Sequence, residues 1–341
     1  MKGTVNDPEP LRIVFLGSDA IALPLLESLQ SDPRAIARVV GVFTQPDRPA
    51  GRGQRALPGP IKVWAERAGL PVHQPERFDE SARQALAALR PDVTLVMAYG
   101  HILRDDVIAT PRLVTLNLHT SLLPRYRGAS PIQTAVASGD DRTGVTLMRI
   151  VRALDAGPVA DVEPVAIGPL DTALDVEARL ASASDRLVSR ALPLLLTGSL
   201  RFVEQDDGRA TYCRRLAKED GALDFGRPAR ELAARIRGLN PWPGCAFPWG
   251  DGMIKVGLAE ASGGGATGVP GTIVAAGEAG VDVVTAEGVV RFLRLQRAGG
   301  RMLPAGEFVR GCPLPMGTVL VSRPMRPLVS DRPFPHRPAA S

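Results

Sequence analysis

The first half of the chain alternates short apolar runs with stretches of helical periodicity. Strands are predicted at 11–16, 38–44, 92–98, 113–119 and 143–151, and helices near 60–69, 80–90 and 130–138. Strands that alternate with helices in this way form a mainly parallel sheet covered by helices. We therefore predict an α/β fold with a Rossmann-like open sheet, which the helix-like stretch 172–196 completes.

The second half has the pattern of a small β-barrel. A polar, turn-rich stretch at 204–212 comes first, and the apolar residues of 229–236 then share one helical face. Short alternating segments follow near 253–259, 271–276, 281–285, 288–295 and 317–321. A string of short strands punctuated by glycine is typical of a barrel.

We expect two domains, because 341 residues exceed what one core usually serves. The predicted segments are an N-terminal extension (1–10), an α/β domain that carries the site (11–203), a linker (204–212), the β-barrel domain (213–322) and a tail (323–341). The tail holds five prolines and has no apolar periodicity, so we expect it to be disordered.

Other sequence features argue against several protein classes. The glycine turn after the first strand lacks the GxGxxG pattern and there is no P-loop motif, which disfavours NAD and ATP. No apolar run reaches the roughly 20 residues of a membrane helix, and the N-terminus has no apolar signal core, so we expect a cytoplasmic protein that does not contact a membrane. The three cysteines are far apart and form no Cys/His cluster, so no metal site is expected.

The net charge of +5 does not by itself indicate a nucleic-acid partner. Basic and acidic residues are equal in number over 1–200, so local patches matter more than the total. One such patch is the segment 45–60, which bears Arg48, Arg52 and Arg55 among glycines and prolines. Composition alone favours a solvated, flexible connection there.

The stretch NLHTSLLPRYRG at 117–128 places an amide, an imidazole and a hydroxyl at alternating positions. If the strand continues to Ser121, the side chains of Asn117, His119 and Ser121 share one face. A histidine near a strand end is more often structural than catalytic. However, Asp155 follows the next predicted strand, and open α/β sheets bind ligands outside the carboxyl ends of their strands. We expect Asn117, His119 and Asp155 to meet in one crevice.

Several motifs together resemble the folate-dependent formyltransferases. They are NLHTSLLPRYRGASPIQ at 117–133, LDAG at 154–157, TQPDRPAGRG at 44–53, AYGHIL at 98–103 and LNPWPG at 239–244. The motifs occur in the family's order, and the resemblance covers roughly residues 11–321. It implies that the second domain is an oligonucleotide-binding-type (OB-like) barrel, a fold often used to hold nucleic acids.

The resemblance also implies substrates and partners. It implies transfer of the formyl group of 10-formyltetrahydrofolate to the α-amino group of methionyl-initiator-tRNA, without a metal, and we expect a monomer. In family members that act on this tRNA, the segment matching 45–60 enters the acceptor stem. Arg48, Arg52 and Arg55 are therefore the expected tRNA contacts, because arginine is permanently charged and bidentate toward phosphate.

Formyl transfer creates two charges that the expected catalytic residues would offset. Attack by the amine makes the formyl carbon tetrahedral, with an oxyanion and a positively charged nitrogen. Asn117 would donate its amide to the oxyanion, and protonated His119 would donate a second hydrogen bond or supply the proton to N10 of the folate. Asp155 would keep His119 charged and help to remove the proton from the amine.

The family resemblance implies that the folate is bound largely through main-chain groups at the strand ends. The expected lining residues are Ala98, Tyr99, Gly100, Ile102, Ser121, Leu122, Leu123 and Pro124. Tyr99 suits the core equally well, and we expect His101 on the surface.

Two positions depart from the family pattern, and two other functions remain open. Ala153 stands where glycine is common and Thr120 replaces proline or glycine, but neither removes a catalytic atom. One alternative is a formyltransferase for an amino-sugar nucleotide, or a hydrolase of formyltetrahydrofolate, and the arginine segment and LNPWPG motif argue against it. The other is a non-catalytic tRNA-binding protein, against which the intact Asn117, His119 and Asp155 argue.

Overall fold

The computed structural model describes residues 9–34, 36–50, 55–263 and 268–335. The chain divides into two compact units that interleave along the sequence. Unit 1 comprises Met1–Pro124, Gly144–Pro164 and Ala178–Arg209, and unit 2 comprises Arg125–Thr143, Val165–Glu177 and Ala210–Ser341.

Strands and helices alternate through the first half of the chain. In order they are β1 (Leu11–Gly17), α1 (Leu23–Ser31), β2 (Ala37–Phe43), β3 (Arg48–Ala50), β4 (Arg55–Leu57), α2 (Pro60–Arg67), β5 (Val72–His73), α3 (Glu80–Ala88), β6 (Val93–Met97), α4 (Asp105–Ile108), β7 (Val114–His119), β8 (Arg127–Gly128), α5 (Pro131–Ala137), β9 (Arg142–Arg149), β10 (Val159–Ala166) and α6 (Ala173–Leu196). A single turn of 3-10 helix, Ala20–Ala22, precedes α1.

The second half is mostly strands. In order its elements are β11 (Tyr212–Cys213), α7 (Ala229–Gly238), β12 (Cys245–Trp249), β13 (Gly252–Ser262), β14 (Ile273–Gly277), β15 (Gly280–Val284), β16 (Val289–Arg297), β17 (Leu303–Pro304), α8 (Ala305–Gly311) and β18 (Val329–Ser330). Two 3-10 helices, Asp207–Arg209 and Lys218–Gly221, flank β11.

The predicted Rossmann-like sheet of the first half is confirmed. Seven strands are hydrogen-bonded in the order β10-β9-β7-β6-β1-β2-β5. The five strands from β7 to β5 run parallel to their neighbours. Their carboxyl ends therefore lie along one edge, where open sheets of this kind bind ligands.

The residues of β1 alternate between the two faces of this sheet, as the pleat of a strand requires. Val14 and Leu16 pack in a buried cluster with Leu86 of α3. Ile13 lies on the other face, where it lines a small apolar void together with Leu192 of α6. Helices thus cover both faces, which explains why the central strands are almost uninterrupted apolar runs.

Strand β9 departs from the parallel arrangement. It runs antiparallel to β7, with Leu116 opposite Arg149 and His119 opposite Thr146. The carboxyl end of β9 is therefore not at the edge where β7 ends, so the carboxyl-end rule does not explain how Asp155 reaches a crevice beside His119. The loop after β9 has to return along the sheet.

The predicted β-rich fold of the second half is confirmed, and its strands in unit 2 form an antiparallel sheet. Its largest sheet has the order β12-β13-β16-β15-β14, with β17 paired to β16. The core beneath it joins Leu232 and Ile236 of α7 to Phe247, Phe292 and other apolar residues of the strands. The strand predicted at 317–321 is wrong, because in this segment the structure has only an isolated bridge between Val319 and Thr272.

The prediction of a disordered tail at 323–341 is wrong for 323–335. Val329–Ser330 pairs with β11, and the side chain of Leu328 is buried in the core of unit 2. Proline content misled the prediction, because a segment without regular periodicity can still place single apolar side chains in a core. Residues 336–341 lie outside the part of the chain that the structure describes.

Candidate active site

His119 and Asp155 face each other at the end of β7. His119 Nδ1 lies 3.7 Å from Asp155 Oδ2, and the two side chains are only 7% and 16% exposed. At this distance a protonated imidazole and a carboxylate attract each other, and low exposure reduces the screening by water. The pair therefore places an imidazole and a carboxylate, two groups that commonly serve as general acid and base, next to each other.

Asn117 lies two residues before His119 on the same strand. Residues i and i+2 of a strand project from the same face, so the amide of Asn117 and the imidazole of His119 share one side of the sheet. Asn117 is half-buried, whereas Leu118 between them is buried on the opposite face. The expected group of Asn117, His119 and Asp155 thus belongs to one region of unit 1.

Ser121 does not continue this polar face, because β7 ends at His119. Its side chain is fully buried within the turn that follows the strand. The hydroxyl of Thr146, opposite His119 on β9, donates to the carbonyl of Ser121 (2.7 Å) and accepts from the N–H of Leu123 (3.1 Å). Sequence reasoning missed Thr146, because a lone threonine inside an apolar strand gives no signal of such a role.

The loop that carries Asp155 has an unusual backbone. Asp155 adopts a φ of 46°, in the left-handed region that non-glycine residues seldom occupy. Gly157 lies so close to β9 that a Cβ there would be 1.8 Å from the carbonyl oxygen of Arg149. Ala153 is exposed and its φ is not in that region, so alanine is not strained at this position.

A side chain from the segment predicted as a linker holds this loop. The amide nitrogen of Gln205 donates to the carbonyls of Asp155 (2.9 Å) and Gly157 (2.8 Å). Sequence reasoning missed Gln205, because a side chain that bonds to a remote backbone leaves no periodic pattern.

The expected folate-lining segment after β6 has a special backbone and a mixed exposure. Ala98 and Gly100 have φ values of 50° and 79° and are exposed. Ile102 is 79% exposed, which is unusual for a large apolar side chain. Such a surface of main chain and one apolar side chain can receive a flat, partly polar ring.

The side chain of Tyr99 belongs to the core rather than to this surface. Its ring is 3% exposed and packs edge-on against Phe78, and burial raises the pKa of its hydroxyl well above the ordinary value. His101 is half-buried rather than on the surface as expected, and its ring lies 4.9 Å from that of Tyr99. Burial, and to a lesser extent the charge of Arg48, lowers the pKa of His101.

Hydrogen bonds join the carboxyl ends of the central strands. Ser18, just after β1, donates its N–H to the carbonyl of Ala98, and its hydroxyl accepts from the N–H of Gln45, just after β2. The amide of Gln45 then donates to the carbonyl of Tyr99 at 3.0 Å. Gly17 permits this approach, because a Cβ there would meet the carbonyl oxygen of Met97 at 2.5 Å.

Two short strands within the arginine segment, β3 and β4, pair as a β-hairpin. Arg48 pairs with Leu57 in the register of β3 and β4, and Arg55 pairs with Ala50. The side chain of Arg48 is exposed and donates to Gln45 Oε1 at 3.3 Å, so it contacts the residue that also holds the segment after β6. Arg52 lies outside the described residues.

Leu122, Leu123 and Pro124, the remaining expected folate contacts, follow in the turn after β7 and are half-buried. Leu122 lies near Gly144, where a Cβ would meet its side chain at 2.5 Å. In the residues that the structure describes, no three His, Cys, Asp or Glu side chains are grouped to hold a metal ion. Over the same residues, no helix is long and apolar enough to cross a membrane.

Comparisons with known proteins show the family to which this chain is similar. A family model described as formyl transferase matches residues 11–192, and one described as formyl transferase, C-terminal domain, matches residues 215–313. The methionyl-tRNA formyltransferase of Ectopseudomonas mendocina (strain ymp) is 44% identical over 87% of this chain and 93% of its own length. That of Halorhodospira halophila (strain DSM 244 / SL1) is 43% identical over 88% of this chain and 96% of its own.

A solved structure supports the fold alone. It is an N-formyltransferase from Helicobacter canadensis, in complex with folinic acid and dTDP-3-aminofucose, with a TM-score of 0.62 and 16% identity. The match covers 83% of this chain and 98% of that chain. On the extent of the two family models and the identity to its relatives, this chain belongs to the formyl transferase family.

Proposed function

We propose that this protein transfers the formyl group of 10-formyltetrahydrofolate to the α-amino group of methionyl-initiator-tRNA, for the initiation of translation. The observation that carries the proposal is the close approach of His119 and Asp155, 3.7 Å apart, with His119 on the strand that also bears Asn117. Two relatives that share 43–44% of their residues with this chain bear the name methionyl-tRNA formyltransferase. Both are matched over nearly their whole length, so both domains of the enzyme have counterparts here.

The proposed reaction is an acyl transfer between two nitrogens. The α-amino nitrogen of the methionyl group bonds to the formyl carbon, and the bond from that carbon to N10 of the folate breaks. In balance, one proton leaves the amine and one proton reaches N10. Asn117 donates its amide to the oxyanion of the tetrahedral intermediate, where a donor placed in advance lowers the barrier most.

His119 and Asp155 act on the protons in this scheme. Protonated His119 donates to the oxyanion or to departing N10, and the carboxylate of Asp155 stabilises its positive charge. Asp155 also accepts the proton of the incoming amine, directly or through water. A close pair of an imidazole and a carboxylate suits both steps, because it supplies an acid and a base in one place.

The folate takes the surface after β6 and β7. The exposed backbone of Ala98 and Gly100, with the exposed side chain of Ile102, forms one part of it. The turn at 121–124 forms the other, and Tyr99 contributes its main chain because its ring is buried. Main-chain donors and acceptors suit a pterin ring, whose edge carries both kinds of group.

The tRNA contacts are Arg48, Arg52 and Arg55 of the hairpin segment. Arg48 is exposed and its guanidinium is held at Gln45, which reduces the entropy lost when it meets a phosphate. We propose that the functional chain is a cytoplasmic monomer with an extension at 1–10, a catalytic domain at 11–203, a linker at 204–212 and a tRNA-binding domain at 213–322.

The test of this proposal is where the formyl group goes. Purified protein is incubated with 10-formyltetrahydrofolate and one of three acceptors, which are methionyl-initiator-tRNA, an amino-sugar nucleotide, and water alone. We expect formyl-methionyl-tRNA as the main product. Formylation of the sugar alone, or release of formate alone, would overturn the tRNA assignment, and binding of tRNA without any formyl transfer would overturn the catalytic one.

A further inference from the structure

A short segment runs beside the loop of Asp155 and contacts it at alternate residues. Val203 and Val159 exchange two backbone hydrogen bonds of 2.8 Å, the pattern of an antiparallel pair. Two residues further along, Gln205 donates to the carbonyls of Gly157 and Asp155. The side-chain amide of Gln205 thus continues, with its own two N–H groups, the ladder that the backbone begins.

The orientation of this amide follows from its contacts. Both partners are carbonyl oxygens, so the nitrogen of Gln205 faces them, since the oxygen would be repelled at 2.8–2.9 Å. The amide nitrogen carries two N–H groups, so each can donate to one of the two carbonyls. One half-buried side chain therefore fixes two peptide groups, those that follow Asp155 and Gly157.

Other contacts fix the ends of the loop. Phe202 stacks on the guanidinium of Arg149, 4.3 Å from the ring centre, and the N–H of Arg149 donates to the carbonyl of Pro158. Asp155 has a left-handed φ of 46°, a conformation that is strained for a non-glycine residue. This conformation persists only if surrounding contacts hold it, and the amide of Gln205 donates to the carbonyl of Asp155 itself.

We infer that Gln205 is a positioning residue, which holds the backbone of Asp155 so that its carboxylate faces His119. The inference rests on the proposed function, because it assigns Gln205 a part in the same reaction. Gln205 acts through Asp155, because its amide donates to the backbone of the loop that carries this carboxylate. Without its two bonds the loop samples other conformations, and the 3.7 Å approach of Asp155 to His119 is lost for part of the time.

The test is a double-mutant cycle with Gln205→Met and Asp155→Ala. Methionine keeps the length of the side chain and removes both donors. We expect Gln205→Met to lower kcat by about 10- to 100-fold, as small misplacements of catalytic groups do, while KM for tRNA and for folate stays the same. In the Asp155→Ala background, Gln205→Met should have almost no further effect, because the group that it positions is absent.

The matched control is Glu204→Gln, the exposed neighbour of Gln205, which should leave kcat unchanged. Hydrogen exchange supplies a readout that does not need activity. In Gln205→Met, amides of 153–159 should exchange faster, while those of β1 and β6 keep their protection. A kcat of Gln205→Met equal to that of the control, or an equal further loss in the Asp155→Ala background, would overturn the inference.

The two proposals fail in different ways. If the wild-type protein formylates no tRNA, the proposed function fails, and the exchange experiment still decides whether Gln205 holds the loop. If the wild-type protein is active and exchange at 153–159 is the same in Gln205→Met, Gln205 holds nothing and the inference fails alone. Faster exchange with unchanged kcat would likewise contradict a role in positioning Asp155.

Discussion

The candidate site depends on a few side chains whose positions are set by close backbone approaches. Gly157 is one of these approaches, because the oxygen of Arg149 occupies the space that a Cβ would need. Thr146 acts through its hydroxyl, which is hydrogen-bonded to two backbone groups of the turn after β7. Neither residue offers a catalytic group, yet each sets where a neighbouring catalytic group lies.

We expect Gly157→Ala to lower both stability and activity. The new methyl group would lie 1.8 Å from the carbonyl oxygen of Arg149, so the loop must move, at a cost of about 1–3 kcal/mol. A shift of the loop moves Asp155 away from His119, so kcat should fall about 10-fold or more. Urea unfolding and steady-state kinetics measure the two effects.

Gly59→Ala is the control for this substitution. No heavy atom lies within 4 Å of a Cβ built at Gly59, and its φ of −68° suits alanine. It should leave both stability and kcat near the wild-type values. Equal behaviour of the Gly157→Ala and Gly59→Ala variants would show that the loop tolerates the displacement.

At the scale of elements, Arg48 lies in the first strand of the hairpin that β3 and β4 form. We expect Arg48→Ala to weaken tRNA binding and to flatten its dependence on salt. Loss of one phosphate contact should reduce the slope of log K against log salt by about 0.7–0.9. Binding of tRNA measured at several salt concentrations tests this.

Arg83→Ala is the matched control, because Arg83 is paired with Glu80 on α3, away from the arginine segment in sequence. Its removal should leave the salt slope unchanged. If Arg48→Ala and Arg83→Ala flatten the slope equally, the loss reflects overall charge rather than a contact by the hairpin.

The end of the chain is a second element with a testable role. Leu328 is 6% exposed within the core of unit 2, so Leu328→Ala should cost about 2–5 kcal/mol of unfolding free energy. Val321→Ala, at a position 53% exposed, should cost much less. Chemical denaturation measures the unfolding free energy of both variants. Similar values for the two variants would contradict a role of Leu328 in the core and would favour a disordered tail.

The predictability of these elements depended on what each strand buries. β1, β6, β7 and β9 are buried on both faces, so they appear in the sequence as apolar runs bounded by turns. β10 was missed because most of its residues are exposed or half-buried, with Asp161 and Glu163 among them. β10 is a strand because it pairs with β9 in the sheet. The residues of β10 alone do not reveal this pairing.

The site was predictable where the chemistry lies in a motif. The spacing of Asn117 and His119 within a strand indicated a shared face, and the pair with Asp155 is present. Ser121 lies in the turn after β7 rather than in the strand, because the strand ends two residues earlier than its alternation suggested. Gln205 and Thr146 were missed, because their partners are backbone groups 48 to 50 and 23 to 25 residues away.

At the scale of the whole molecule, unit 2 contains a buried charge cluster that links its stability to pH. Asp220 is fully buried and accepts two short hydrogen bonds from Arg214 and one from the N–H of Ala217. Burial by itself would raise the pKa of Asp220, but these bonds and the charges of Arg214 and Arg235 hold it below the usual range. Arg235 of α7 is also buried and donates to the carbonyl of Asp220.

A carboxylate whose pKa is lower in the folded state stabilises the fold above its unfolded pKa, near 4, and this contribution is lost as pH falls through the folded value. We expect Asp220→Asn to cost about 3–5 kcal/mol at pH 7, because two arginines then lack their buried counter-charge. The gap between wild type and variant should narrow below pH 4. Urea unfolding of both proteins from pH 7 to pH 3 measures it, and a constant gap would contradict the assignment.

The central claim is that Asn117, His119 and Asp155 carry out formyl transfer to methionyl-initiator-tRNA. The most direct measurement is the single-turnover rate of formyl-methionyl-tRNA formation, with enzyme in excess, for wild type, Asn117→Ala and His119→Ala, together with the Kd of each for the tRNA. We predict rates lower by about 100-fold or more in both variants with unchanged Kd. Near-wild-type rates in either variant would contradict the account.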